Sequence, residues 1–183
     1  EFAKAGDVVT LIQDVTMDYN ARDAYETQAE NVVIDGNGKT LTLNQKNSDW
    51  ASIGLANNSK LVLKNMTIEK TGYGDTSGAW NTHAIIFSCN VEMKDVTVNN
   101  SVAVQNGATL NNVTINEANG YYGLWINGNG QTVTMNGGEI NAQAVMCMCV
   151  SDDHNDKSII TGWNPTAEDM LADDWEIICN EES

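Results

Sequence analysis

The sequence is short of positive charge. Nine Lys and Arg stand against 25 Asp and Glu, a formal net charge of −16, and Arg22 is the only arginine. Nucleic acid and anionic membrane are therefore not expected as partners, because phosphate binding needs a basic face. Chemistry that depends on an arginine clamp is equally disfavoured. Proline is almost missing: Pro165 stands alone, so strands upstream of it can pair on both sides. No apolar run approaches the roughly 20 residues of a membrane-spanning helix. The opening Glu1-Phe2-Ala3-Lys4 has neither an initiator Met nor the apolar stretch of a signal peptide, as expected of a fragment, a processed product or a late-starting numbering. Cysteines are few, and Cys89, Cys147, Cys149 and Cys179 follow neither zinc-finger nor Cys-x-x-Cys spacing. Cys147 and Cys149 share one face of a strand, where they are poorly placed to pair with each other. They read as small buried hydrophobes, with a disulfide to Cys89 or Cys179 as the alternative.

What the chain does have is repetition. A unit of the form apolar-x-apolar, turn, apolar-Thr-apolar recurs six times along the first 150 residues. It runs from Val9-Thr10-Leu11 with Val15-Thr16-Met17 through Val32 to Leu41 and Leu61 to Ile68. It continues through Val91 to Val98 and Leu110 to Ile115 and ends at Val133 to Ile140. The closing apolar residues fall at 17, 41, 68, 98, 115 and 140, at intervals of 24, 27, 30, 17 and 25. Each unit alternates with period two and breaks at Asn, Asp or Gly, residues that tolerate left-handed backbone. Further strand-like runs lie between the units at Ala84 to Phe87, Gly123 to Ile126 and Ala144 to Val150. Nothing before residue 160 is amphipathic at helical period. The expected fold is all-β, a right-handed parallel β-helix of about six to seven coils over residues 1–150, with strands about 4.8 Å apart. Asn65, Asp95, Asn112 and Asn136 occupy equivalent turns, where a hydrogen-bonded ladder is expected.

Val33-Ile34-Asp35-Gly36-Asn37-Gly38-Lys39-Thr40-Leu41 and Leu63-Lys64-Asn65-Met66-Thr67-Ile68 resemble the pectate-lyase-like β-helix superfamily, over about residues 5–150. That resemblance implies the fold. The superfamily holds lyases, hydrolases, phage tailspikes, adhesins and inert scaffolds, so it implies no single activity.

From Ser151 the composition changes. Residues 151–183 carry ten acidic residues and one Lys, about −9; the first 150 carry fifteen and eight, about −7. Val145 to Val150 and Ser158 to Thr161 read as a hairpin around Asp152-Asp153-His154-Asn155-Asp156. Thr166-Ala167-Glu168-Asp169 reads as a helix start with Thr166 as N-cap, and Trp175 to Cys179 as a last strand. An acidic β-β-α-β cap over 151–183 is expected. The stretch Gly162-Trp163-Asn164-Pro165-Thr166 through Trp175-Glu176-Ile177-Ile178 is similar to the C-terminal half of a family of short phage and prophage proteins. Some members are Thoeris anti-defence proteins, which sequester a cyclic ADP-ribose-type signal. The resemblance implies a phage-encoded chain and carries no binding residue across.

Signs of catalysis are sparse. Lyases of the superfamily use a basic residue beside carboxylate-bound Ca²⁺, whereas Arg22 has Asp18, Asp23 and Glu26 near it only in sequence. The Gly-His-Gly and Arg-x-Lys of its hydrolases do not occur. His83 at a loop-to-strand boundary reads as structural, and no carboxylate pair of the kind that cleaves glycosides can be assigned. Asp152 to Asp156 lacks the Gly and distal Glu of a calcium loop and reads as a solvated turn. Gly128-Asn129-Gly130 opens no helix and reads as a turn rather than a phosphate loop. No metal, cofactor or enzymatic activity is expected.

The remaining candidates are aromatic: Trp80, Tyr121, Tyr122 and Trp125, as a glycan-stacking surface or a subunit contact. Trp125 alternates with Leu124 and Ile126 and is expected to face outward if those two are core. Three functions follow. The first is a non-catalytic virion structural protein, a decoration, fibre or tail rod, forming a homotrimer and contacting other virion proteins or a surface glycan. The second is a carbohydrate-binding or depolymerising module on a virion or bacterial surface. The third, implied by the C-terminal resemblance, is an anti-defence sponge for a cyclic nucleotide.

Overall fold

Alternating strands bury one face and must stack it against another sheet. The computed structural model describes residues 6–19, 25–27, 31–46, 51–55, 60–72, 84–117, 122–127, 132–142, 144–148, 159–163 and 174–178. These residues form fifteen strands and no helix. One sheet holds β1 (Val8–Thr10), β2 (Val15–Tyr19), β4 (Val32–Gln45), β6 (Lys60–Gly72), β8 (Asn90–Asn99), β10 (Ala108–Asn116), β12 (Thr132–Asn141) and β15 (Asp174–Ile178). The other holds β3 (Tyr25–Thr27), β5 (Ala51–Leu55), β7 (Ile85–Phe87), β9 (Val102–Val104), β11 (Tyr122–Asn127), β13 (Ala144–Met148) and β14 (Ile159–Trp163). From β2 to β13 the chain alternates strictly between the two sheets, and every neighbouring pair in that span is parallel.

The two C-terminal strands reverse this. β14 pairs antiparallel with β13, and β15 antiparallel with β12. The hairpin read from the sequence and the last strand are thus attached to the ends of the two sheets. The expected helix from Thr166 lies outside the described residues.

Register holds the repeat in line. Leu41, Ile68, Val98, Ile115 and Ile140 are successive Cα partners across β4, β6, β8, β10 and β12. Leu61, Val91, Ala108 and Val133 form a second such row, and Leu63, Met93, Leu110 and Met135 a third. All of these except the half-buried Ile140 are buried and belong to one core, which also takes Ile85, Phe87, Val102, Val104, Leu124 and Ile126 from the other sheet. Each large aliphatic side chain buried in that way contributes about 1.5–3 kcal/mol. The first unit departs from the expected alignment. Val15, not Met17, is the partner of Leu41, and Met17 pairs with Leu43. A slip of two residues leaves every side chain on its own face, so the hydrophobic pattern alone does not distinguish the two registers.

Each long strand bends where the backbone is left-handed: at Asn37 and Gly38 (φ 51° and 73°) in β4, Asn65 (53°) in β6, Asp95 (55°) in β8 and Asn112 (53°) in β10, with Gly137 and Gly138 taking the place in β12. The bend residues also cross-link the strands. Asn112 Nδ2 donates to Asp95 Oδ1 at 2.7 Å, and Asn65 Nδ2 to Asp35 Oδ1 at 3.2 Å. Asn136 sits one place earlier than expected, in register with Asn111, and donates to its Oδ1 at 2.8 Å. A second ladder runs on the outer face: Asn141 donates to Asn116, Asn116 to Asn99, and Asn99 to Glu69, at 2.9, 3.0 and 3.2 Å. Among the cysteines, Cys89 is a thiol buried in the core, while Cys149 and Cys179 lie outside the described residues.

Candidate functional site

Among the described residues the buried polar side chains are Gln45, Lys70, Asn100, Ser101 and Glu117, all toward the ends of the long strands. Two residues beyond the Leu41–Ile68–Val98–Ile115 row, where the long strands end and the chain turns toward the second sheet, the inward positions are Leu43, Lys70, Asn100 and Glu117. Leu43 pairs directly with Lys70. Glu69 pairs with Asn99, and Asn99 is bonded to Asn116, which places Lys70, Asn100 and Glu117 at the next step of three adjacent strands. Adjacent strands are about 4.8 Å apart. Lys70 is 5% exposed, Asn100 6% and Glu117 7%. Ser101, also buried, donates its Oγ hydrogen to Glu117 Oε2 at 2.7 Å and so fixes the carboxylate. Glu117 is held by its backbone as well, its N–H donating to the carbonyl of Asn141 at 2.9 Å. The Asn100 Oδ1 has no hydrogen-bond partner.

Burying a cation, an amide and a carboxylate in one row is costly unless each serves a polar partner. A core built only for stability would continue the apolar row, as Leu43 does. Lys70 and Glu117 both have partners within the chain, and the Asn100 Oδ1 is the acceptor of the row left without one. The corner pairs the Ser101 hydroxyl with the Glu117 carboxylate, and no group of three or more metal-ligating side chains occurs among the described residues.

Two carboxylates of the first sheet, Asp18 and Asp35, are held below their ordinary range by structural partners. The Asn37 backbone N–H, then Lys64 and Asn65, hold Asp35 below the usual carboxylate range. The Asn44 amide and then Lys46 do the same for Asp18. Both Lys64–Asp35 and Lys46–Asp18 are ion pairs, at 3.1 and 3.2 Å, and Lys60 pairs with Glu92.

The aromatic candidates divide. Trp125 does face away from Leu124 and Ile126, which are in the core, but its surface is not open. It is 3% exposed and belongs to a second apolar cluster with Ala84, Ile86 and Ala103 on the outer side of the second sheet. Ile86, Ala103 and Trp125 stand in one register across β7, β9 and β11. Tyr122, at the start of β11, is 38% exposed. Trp80, Tyr121, Arg22, His83, Gly128 to Gly130 and Asp152 to Asp156 lie outside the described residues. An exposed stacking surface that includes Trp125 is therefore corrected: a ring in the right orientation is covered within its own chain.

The polar corner was not singled out from the sequence, although a signal for it existed. Ile68-x-Lys70, Val98-x-Asn100 and Ile115-x-Glu117 repeat a polar residue at the parity of the core, two places after the closing apolar residue of three successive units.

With this geometry in view, comparison with known proteins gives one similarity. Residues 102–178 match the family model described as a Tad2-like, Thoeris anti-defense 2-like domain. The match covers fewer than half of the 183 residues. It takes in β9 to β15 with Glu117, Tyr122 and Trp125, and leaves Asn100 and Ser101 just upstream and Lys70 well before it. The pectate-lyase-like resemblance gains no support from it. No curated protein and no solved structure matches the chain. The similarity of residues 102–178 therefore points to phage anti-defence rather than to a virion component.

Proposed function

We propose that this chain is a phage anti-defence protein that binds a cyclic ADP-ribose-type nucleotide and withholds it from its receptor without turning it over. The observation that carries the reading is the similarity of residues 102–178 to the Thoeris anti-defense 2-like domain. The fold belongs to the same proposal. The alternation of parallel strands between two sheets is that of a right-handed parallel β-helix, each coil contributing one bent strand to the first sheet and one short strand to the second. A rigid stack of this kind holds interior groups at fixed spacing, which lowers the cost of ordering them around a ligand.

Calorimetric titration with cyclic ADP-ribose tests the reading. Saturable binding is expected, with the nucleotide recovered unchanged by chromatography afterwards. Absence of heat at about 100 μM ligand, where even a weak complex of micromolar Kd is saturated, overturns it. The second reading, a virion rod assembled as a trimer, draws only on the stacked parallel strands. A solution mass three times that of the 19.9 kDa chain, together with silence in the titration, would favour it instead.

A further inference from the structure

We infer that the Asn37–Gly38 step is a site of covalent self-modification, where the Asn37 amide is lost through a cyclic imide and replaced by aspartate or isoaspartate. The chemistry needs no partner but solvent water. The backbone nitrogen of Gly38 attacks the side-chain carbonyl carbon of Asn37, and its proton passes to the departing amide nitrogen. A new N–C bond closes a five-membered imide as the old C–N bond breaks and ammonia leaves. Water then opens the imide at either carbonyl, giving Asp or its β-linked isomer. One carboxylate has replaced one neutral amide, and nothing is oxidised or reduced. A glycine in the second place eases the attack, because it has no side chain to obstruct the approach.

Asn-Gly occurs six times in the sequence, and three of the steps lie wholly within the described residues: Asn37-Gly38, Asn106-Gly107 and Asn136-Gly137. The structure separates these three. Asp35 pairs with Lys64 and Lys39 with Met66, so Gly36, Asn37 and Gly38 stand opposite the single residue Asn65, as a bulge outside the ladder. Asn37 and Gly38 are both exposed. A methyl group on Gly38 would meet nothing within 4 Å, which leaves room for the ring to close. The Asn37 backbone N–H donates to Asp35 Oδ1 at 2.9 Å, a bond that does not involve the nitrogen that attacks or the amide that leaves. The other two amides are tied. Asn106 is half-buried, and its Nδ2 donates to the Ser88 carbonyl at 2.7 Å. Asn136 stands in register with Asn111, and its Nδ2 donates to Asn111 Oδ1 at 2.8 Å. Each of those amides must give up its hydrogen bond before its carbon can turn toward the glycine nitrogen.

The test incubates the full chain at mildly alkaline pH, once folded and once in concentrated urea. Peptide mass mapping then follows each of the three steps for the mass increase that marks loss of the amide. Dividing the folded rate by the rate in urea removes differences in local sequence and leaves the effect of structure. The ratio for Asn37 is expected to be the highest of the three. It should exceed those for Asn106 and Asn136 by at least about 5-fold, the worth of the one hydrogen bond that each must break. Asn111→Ala, which frees the Asn136 amide, should raise the ratio for Asn136 and leave that for Asn37 unchanged. Equal ratios at the three steps, or a higher one at Asn106 or Asn136, overturn the assignment. So does a folded chain in which Asn37 stays intact over the time that converts it in urea.

Discussion

At the residue scale, the bends are where sequence dictates structure most tightly. A left-handed backbone costs an ordinary L-residue roughly 1–2 kcal/mol, and Asn and Asp are the side chains that offset this with local hydrogen bonds. Asn65, Asp95 and Asn112 adopt it at φ near 53–55°, and their side chains bond across to neighbouring strands. β12 solves the same bend with Gly138, at φ 98° and directly opposite Val113. There the need for glycine is steric as well as conformational. A Cβ on Gly138 would lie 2.1 Å from the Val113 carbonyl oxygen and 2.5 Å from its nitrogen, and backbone cannot swing aside as a flexible side chain does. Gly138→Ala is therefore expected to destabilise the chain by about 2–4 kcal/mol, beyond the ordinary range for a surface change. The urea midpoint should fall while the slope m stays constant. By contrast, Gly137→Ala has open space around the new methyl group and should lose only the smaller cost of its positive φ. Equal losses at the two glycines would show that contact with Val113 plays no part.

At the element scale, the two faces of the second sheet explain what the pattern conveyed and what it did not. Alternation placed Leu124 and Ile126 in the core and Trp125 opposite, as observed. Alternation says which face a side chain takes, though not whether that face is covered, because cover comes from residues remote in sequence. Trp125 is buried with Ala84, Ile86 and Ala103, so Trp125→Ala should act on folding rather than on association. A loss of about 3–5 kcal/mol is expected from a buried Trp, read as a lowered denaturation midpoint at unchanged solution mass. A variant that kept its midpoint and lost only an oligomer would restore the surface role. The same limit applied elsewhere. The repeat, the parallel stacking and the three apolar rows were legible because Val, Leu, Ile and Met recur at fixed parity on both sides of an Asn, Asp or Gly bend. The register of the first unit was not, since a two-residue slip preserves parity. The ladder was half legible: Asn112 meets Asp95 as expected, while Asn136 meets Asn111. The polar corner was missed because Lys70 and Glu117 look like surface charges when read singly. Only the register shows Lys70, Asn100 and Glu117 standing together.

At the scale of the whole molecule, charge sets the terms. Of the net charge of −16, about −9 falls in residues 151–183 and about −7 in the first 150, and among the described residues only Lys70 and Glu117 are buried charges. Three described ion pairs, Lys46–Asp18, Lys60–Glu92 and Lys64–Asp35, engage three of the nine basic residues. Surface pairs of that kind are each worth at most about 1 kcal/mol. Self-repulsion among the remaining carboxylates therefore works against the compact state, and it does so over distances that salt screens. At about 0.01 M ionic strength the screening length is about 30 Å, comparable with a small domain, whereas at about 0.15 M it shrinks to about 8 Å. The thermal midpoint should accordingly rise as sodium chloride is raised across that range, and level off once the screening length falls below the spacing of surface charges. Under the nucleotide-binding proposal, the same screening should ease the approach of an anionic nucleotide to so acidic a chain. Association should then be faster at moderate salt than at low salt, the reverse of a binder with a basic face. A midpoint that fell steadily with added salt would mean that attractive pairs outweigh repulsion. The excess of carboxylates would then be balanced by a network of contacts rather than tolerated.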